Sequence, residues 1–181
     1  MSSPDGGYVS AVFLPDEASA PLERAALDDR RALALLAPVY SANAYAWSQR
    51  YQNCNQWVAE TMAMAWGGTP AGADARARAQ GWLRDQAYAA HEFRIAFPPT
   101  MWLAAVIPWV HHDDHPPEDL AEGVYRVSMP SSLEAFARQR WPAARRVEFC
   151  RAGERVVVRQ GWAPIAEGCR PEPGDRVVIL D

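Results

Sequence analysis

Apolar and polar positions follow two periods along this chain, and the change of period divides it into elements. From Tyr8 to Leu14 apolar side chains alternate loosely and stop at Pro15, the pattern of a strand. Ser19-Ala20-Pro21 then offers a serine cap with proline in the first turn. Leu22, Ala25 and Ala26 follow on one face, which predicts a helix ending near Asp28–Asp29, with Pro38 barring continuation. Tyr40 to Tyr51 is aromatic and polar, a strand or an extended approach. Asn53 is placed to cap a helix that runs to the Gly67-Gly68 stop signal, with Cys54, Trp57, Val58, Met62 and Ala65 as its apolar stripe.

Beyond a glycine-proline linker, Asp74 starts a third helix reaching about Gln86, and a short strand is expected over Phe93 to Phe97. An apolar helical segment follows near Met101–Ile107, and His111 to Pro117 reads as a polar loop. Gly123 to Met129 is strand-like, and Ser131 with Glu134 forms a capping-box pattern for a helix reaching Arg140. The tail is different: Val147–Cys150, Arg155–Gln160 and Arg176–Leu180 are short strands separated by Gly and Pro turns. The expectation is a mixed α+β protein with helices in the middle and strands at the end.

Composition narrows the chemistry. All 18 basic residues are arginine, so lysine Schiff-base catalysis and the lysine-bearing phosphate loops are excluded. A length of 181 residues, 49% of them apolar, fits one domain or one domain with a small appendage. Net charge is −4 and no basic cluster exceeds the pair Arg145–Arg146, so neither a nucleic-acid nor an anionic-membrane surface is expected. The longest nearly continuous apolar run, Met101 to Val110, contains Pro108 and is about half the ~20 residues a membrane span needs. Met1–Gly7 is polar and glycine-rich, unlike a secretory signal. Of the three cysteines, Cys150 and Cys169 flank a hairpin and would pair in an exported protein, whereas a cytosolic one would keep three free thiols.

Cys54 falls in the first turn of its helix, where the positive end of the helix dipole favours thiolate, the placement of a cysteine nucleophile. The alternative is a small buried hydrophobe on the Trp57–Val58 stripe. A nucleophile needs a base, and there are four histidines. His91 reads as a surface residue, while His111, His112 and His115 share one loop. Three roles are open to that loop: a solvated turn, a metal site of His111, Asp113 and His115, or His115 oriented by Asp114 as base for Cys54. Gly-x-Ser-x-Gly, His-Glu-x-x-His, Cys-x-x-Cys and dinucleotide fingerprints are absent, and no cofactor is called for.

Two stretches, Arg50-Tyr51-Gln52-Asn53-Cys54-Asn55-Gln56-Trp57-Val58 and Asp113-Asp114-His115-Pro116, resemble paired motifs of an uncharacterised bacterial family, domain of unknown function 2145. Ala77-Arg78-Ala79-Gln80-Gly81-Trp82-Leu83 and the strand-then-helix order from Val124 to Phe136 agree with it, so the resemblance covers roughly Tyr8 to Arg140. Members resemble exported proteins, and their order of a histidine strand before a cysteine helix is similar to permuted NlpC-type papain-like hydrolases. The resemblance implies a papain-like scaffold with helices packed on a small antiparallel sheet over residues 1–145. Here that scaffold would lack its usual N-terminal histidine strand, and residues 146–181 would form a β-rich extension.

Function follows in two versions. The first is a thiol hydrolase of amide or ester bonds in the cell envelope, with catalytic Cys54, His115 and Asp114 and a small-molecule, peptide or cell-wall substrate. The second is a non-catalytic envelope domain for binding or structure. A periplasmic or exported location is implied if a signal peptide lies upstream.

Overall fold

The elements of the computed structural model, which describes residues 6–95 and 107–180, run in the order β1 (Gly6–Phe13), α1 (Asp16–Leu27), α2 (Asp29–Ala34), β2 (Val39–Tyr40), β3 (Tyr51–Gln52), α3 (Cys54–Gly67), α4 (Ala75–Asp85) and β4 (His91–Arg94). The chain continues through α5 (Pro117–Ala121), β5 (Val124–Val127), α6 (Pro130–Arg140), β6 (Arg145–Ala152), β7 (Arg155–Gln160) and β8 (Arg176–Ile179). This is a mixed α+β protein with small, mostly antiparallel sheets. Two compact units emerge, one from Asp16–Arg140 and one from Met1–Pro15 with Trp141–Asp181. Among the described residues no helix is long and apolar enough to cross a membrane. The expected helix near Met101–Ile107 lies outside the described residues, Ile107 excepted.

In the helical unit, α3 is built as its end signals predict. The Asn53 side chain accepts the Gln56 amide at 2.7 Å, and Gly68, left-handed at φ 64°, closes the helix. Gly67 is required for a second reason: a Cβ there would sit 2.8 Å from the Trp82 indole. The buried side of α3 is the expected stripe only in part. Met62 lies in the core and Trp57 and Val58 pack half-buried against it, but Cys54 is exposed, and Gln56, Ala59, Glu60 and Ala63 are buried as well. Apolar packing comes from Leu35, Met62, Met64, Ala75, Ala79, Leu83, Tyr88 and Phe136, with small alanines letting the helices approach closely.

The other departures are local. Helix α1 begins at Asp16, directly after Pro15 and with two acids in its first turn, so Ser19 lies inside it rather than at its cap. A separate helix, α2, follows because the Asp28 side chain caps it through the Arg31 amide. Helix α6 starts at Pro130, one residue before the expected Ser131. Tyr40 to Tyr51 is mostly irregular, joining the parallel two-residue strands β2 and β3.

A polar seam joins α3 to α4. Glu60 has no solvent exposure, and Arg76 reaches it through Nε at 2.9 Å and Nη2 at 3.1 Å. Gln52 and Gln80 each donate to the same carboxylate at 2.7 Å, and Gln56 at 3.4 Å. Burial pushes the Glu60 carboxyl above its ordinary value, against the opposing pull of Arg76, Gln80 and Gln52. Arg76 also donates to the carbonyls of Ser48, Gln49 and Tyr51, so the seam fixes the 48–51 loop.

The second unit is an antiparallel sheet in the order β1-β6-β7-β8. One face buries Arg146, Glu148, Cys150, Val157 and Arg159, and Ile165 and Cys169 pack on it. Cys150 and Cys169 form a disulfide, the paired alternative left open by the sequence. Closing a loop of that length contributes about 3 kcal/mol. Pro173-Gly174 makes a turn closed by the Asp175 amide on the Glu172 carbonyl, and Asp175 takes both ends of the Arg159 fork, at 2.9 and 2.7 Å.

Removing one partner of the buried pair strands the other. Arg76→Ala is expected to cost about 3–5 kcal/mol in urea unfolding, with a cost near zero arguing against the seam. The Arg159 guanidinium holds the Asp175 carboxyl down to about 2, from an ordinary value of 3.8. A depressed acid stabilises the fold above its unfolded value, so this contribution is complete above about pH 4 and fades as pH falls towards 2. Asp175→Asn should flatten the acid limb of stability against pH, measured by urea midpoints.

Candidate functional site

Position 54 is set from both sides. Behind it, Asn53 accepts the Gln56 amide and donates through Nδ2 to the carbonyls of Ser128 at 3.2 Å and Ala42 at 3.4 Å. In front, Cys54 stands exposed as the first residue of α3 and the one free cysteine among the described residues. It borders a cleft of about 390 Å³ lined by Leu36, Ala37, Val39, Tyr40, Gln52, Asn53 and Trp57. The floor is mostly apolar, and the Trp57 indole is anchored to the Ala32 carbonyl at 3.1 Å. The buried-hydrophobe alternative for Cys54 is therefore excluded.

The second motif meets the first directly. Asp113 receives Arg50 Nη1 at 2.5 Å and the Tyr51 hydroxyl at 3.3 Å, and the His111 ring stacks on Tyr51 at 4.3 Å, nearly parallel. Desolvation opposes ionisation of Asp113, but the Tyr51 hydroxyl, a backbone amide and Arg50 outweigh it and hold the carboxyl below its ordinary value. Burial and the Asp113 contact raise the Tyr51 phenol in turn. Backbone bonds extend the clasp. The His111 amide donates to Ser41 Oγ and Asn43 Oδ1 at 3.1 Å, and Asn43 Nδ2 returns to the His111 carbonyl at 2.7 Å.

His115 and Asp114 lie deeper. The His115 side chain is fully buried, with Tyr45 and Tyr125 rings at 5.5 and 4.7 Å, and its Nε2 lies 2.8 Å from the Asn43 carbonyl oxygen. A carbonyl only accepts, so Nε2 carries the proton and donates. Asp114 Oδ2 accepts the Tyr45 amide at 3.0 Å, and its Oδ1 is 3.7 Å from His115 Nε2. The structure thus ties His115 and Asp114 side by side to the 43–45 turn, and none of the described contacts of the His115 ring is with Cys54. His115 Nδ1, the nitrogen left to act as a base, is buried with no hydrogen-bond partner among the described residues.

The other histidines have separate surroundings. His112 Nδ1 and the Tyr125 hydroxyl are hydrogen-bonded at 2.6 Å, and burial and Asp114 push the Tyr125 phenol up to about 12. His91 is exposed on β4 against Phe93. His111, Asp113 and His115 each serve a different contact, and among the described residues no group of three or more ligating side chains is placed to hold a metal. Sequence reasoning missed Asn43, Tyr45 and Tyr125, because a lone asparagine or tyrosine in irregular chain gives no periodic or motif signal.

The fold and site define a class: a mixed α+β protein in which an exposed cysteine starts a helix and a histidine-acid motif clasps the segment leading into it. The chain belongs to the family described as an uncharacterized protein conserved in bacteria, domain of unknown function 2145, whose model matches residues 2–137. No curated protein and no solved structure matches it.

Burial lowers the His115 ring from its ordinary value of 6.5, against the opposing effects of the Asn43 carbonyl and Asp114. A depressed histidine favours the folded state while neutral, so its contribution is complete above that value and declines as pH falls below it. Urea midpoints from about pH 7.5 to about pH 5 should fall for wild type and fall less for His115→Gln. Parallel curves would remove His115 from the acid response.

Proposed function

We propose that residues 16–140 form a binding domain on a papain-like scaffold, working in the bacterial cell envelope and taking an apolar or acyl group of a small molecule or peptide into the Cys54 cleft. One observation carries this reading: Asp113 is spent on holding Arg50, and Asp114 and His115 on holding the 43–45 turn, while the cleft beside Cys54 is open and apolar. In this reading His115 and Asp114 are positioning residues acting through the 43–45 turn. The Cys150–Cys169 disulfide fits an oxidising compartment outside the cytoplasm.

The second reading is a thiol hydrolase, favoured by the exposure of Cys54 at the start of a 14-residue helix on the wall of that cleft. Cys54 sulfur would attack an ester or amide carbonyl, the alcohol or amine would leave with a proton, and water would release the acid from the thioester. Its base would be His115, freed from Asn43 and oriented by Asp114.

A fluorescent fatty-acid analogue separates the two. Binding is expected to saturate, to survive Cys54→Ser unchanged, and to weaken about tenfold or more in Leu36→Glu, which puts a charge on the cleft wall. Absence of saturable binding ends the first reading. Steady turnover of an acyl ester by wild type, lost in Cys54→Ser and His115→Gln, would replace it with the second.

A further inference from the structure

The strand register gathers residues that lie far apart in sequence onto the outer face of the β1-β6-β7-β8 sheet. Val9 pairs with Phe149 and Phe149 with Val158, Ala11 pairs with Val147, and Val156 pairs with Val178. Phe13 completes an apolar surface on which Val9, Phe13 and Phe149 are 66%, 52% and 39% exposed. The same alternation brings Arg145, Arg151 and Arg176 to this face, all exposed, and puts no acidic residue on it. The acids of the sheet, Glu148 and Asp175, are engaged on the opposite side by Arg146 and Arg159. Among the described residues none of the three outer arginines is in an ion pair. One end of the face is indented by a cavity of about 380 Å³ between Phe13, Arg145, Val147 and Trp162.

An apolar centre carrying only positive charge selects its partner. A second copy docked face to face would bring six guanidinium groups together with no carboxylate among them, which is unfavourable in a desolvated interface. An anionic surface satisfies both features. Aromatic and aliphatic side chains enter the headgroup region, while arginines bury their stems and keep their charge at the phosphates. The face is also broad, with no acid at any of its strand positions, and a fluid lipid surface makes no demand for shape complementarity. We propose that this face docks the protein peripherally on an anionic lipid bilayer. A search for contiguous basic clusters misses it because the three arginines stand on two strands and are never adjacent in sequence.

Vesicle flotation of the full chain provides the test. Wild type is expected to float with vesicles of mixed phosphatidylcholine and phosphatidylglycerol, to stay behind with phosphatidylcholine alone, and to be released by high salt. The exposed triple variant R145Q/R151Q/R176Q, checked for folding by circular dichroism, should lose partition on the order of 100-fold. Phe13→Ala should weaken partition while keeping the preference for anionic lipid. Equal flotation on both vesicle types, an unchanged triple variant, or no flotation at all would overturn the proposal. So would the face proving instead to bind an acidic peptide or a second copy of the chain, since neither carries the wild-type protein to vesicles.

Discussion

A carboxylate without solvent exposure costs several kcal/mol unless donors replace its water, and Glu60 meets that requirement with five hydrogen bonds from four side chains. Each of the four donors also has a second task. Arg76 reaches the carbonyls of Ser48, Gln49 and Tyr51, Gln80 reaches Ser48, Gln56 reaches Ala46 and Ser48, and Gln52 reaches Leu35. Neutralising one buried charge therefore fixes a loop that makes almost no regular secondary structure of its own. That loop leads straight into Tyr51, Gln52 and Asn53, so the place where Cys54 emerges follows from an ion pair between the middle of α3 and the start of α4. Helix spacing makes this possible: Gln56 and Glu60 are one turn apart on α3, as Arg76 and Gln80 are on α4.

The 111–115 segment completes what the seam begins. From its side, Asp113 and His111 grip Arg50 and Tyr51, while Asp114 and His115 grip the 43–45 turn, on whose neighbour Ala42 the Asn53 amide rests. Motifs separated by sixty residues or so of sequence are therefore one physical object, a clasp around the start of α3.

How much of this was legible in the sequence depended on whether the signal was local. Asn53 and Gly67-Gly68 announce α3 because capping and left-handed turns involve neighbouring residues. The β7 and β8 strands were equally plain from alternation and turns. The buried face of α3 was read only in part, for a physical reason: periodicity finds Trp57, Val58 and Met62 because it assumes that apolar side chains go inside, and it misses Gln56 and Glu60, whose burial Arg76 and Gln80 from another helix make tolerable. The pairing of β1 with β6 was invisible because the partner strands lie at opposite ends of the chain. At the candidate site, the position of Cys54 at a helix start was readable. The burial of His115 was not, since a loop histidine has the same sequence signature whether it faces solvent or lies between two tyrosines.

The histidines decide between binding and catalysis at the cleft. With no lysine in the chain, a base for Cys54 must come from histidine or a carboxylate, and Asp113 and Asp114 are already accepting hydrogen bonds. His91 is on a surface strand, His111 is stacked on Tyr51, His112 is hydrogen-bonded to Tyr125, and His115 donates to Asn43. Freeing His115 would leave the Asn43 carbonyl without its donor, a loss of about 1–3 kcal/mol if the group stays buried. General-base assistance is worth roughly 10²–10⁴ in rate, or about 3–5 kcal/mol, so the exchange could be favourable only if the ring also reached the thiol. Its burial between Tyr45 and Tyr125 makes that movement a rearrangement of the 43–45 turn, which directly follows Ala42, one of the two carbonyls that accept the Asn53 amide. A base obtained that way would disturb the nucleophile it serves, and on that ground we propose a binding role for the cleft ahead of a hydrolytic one.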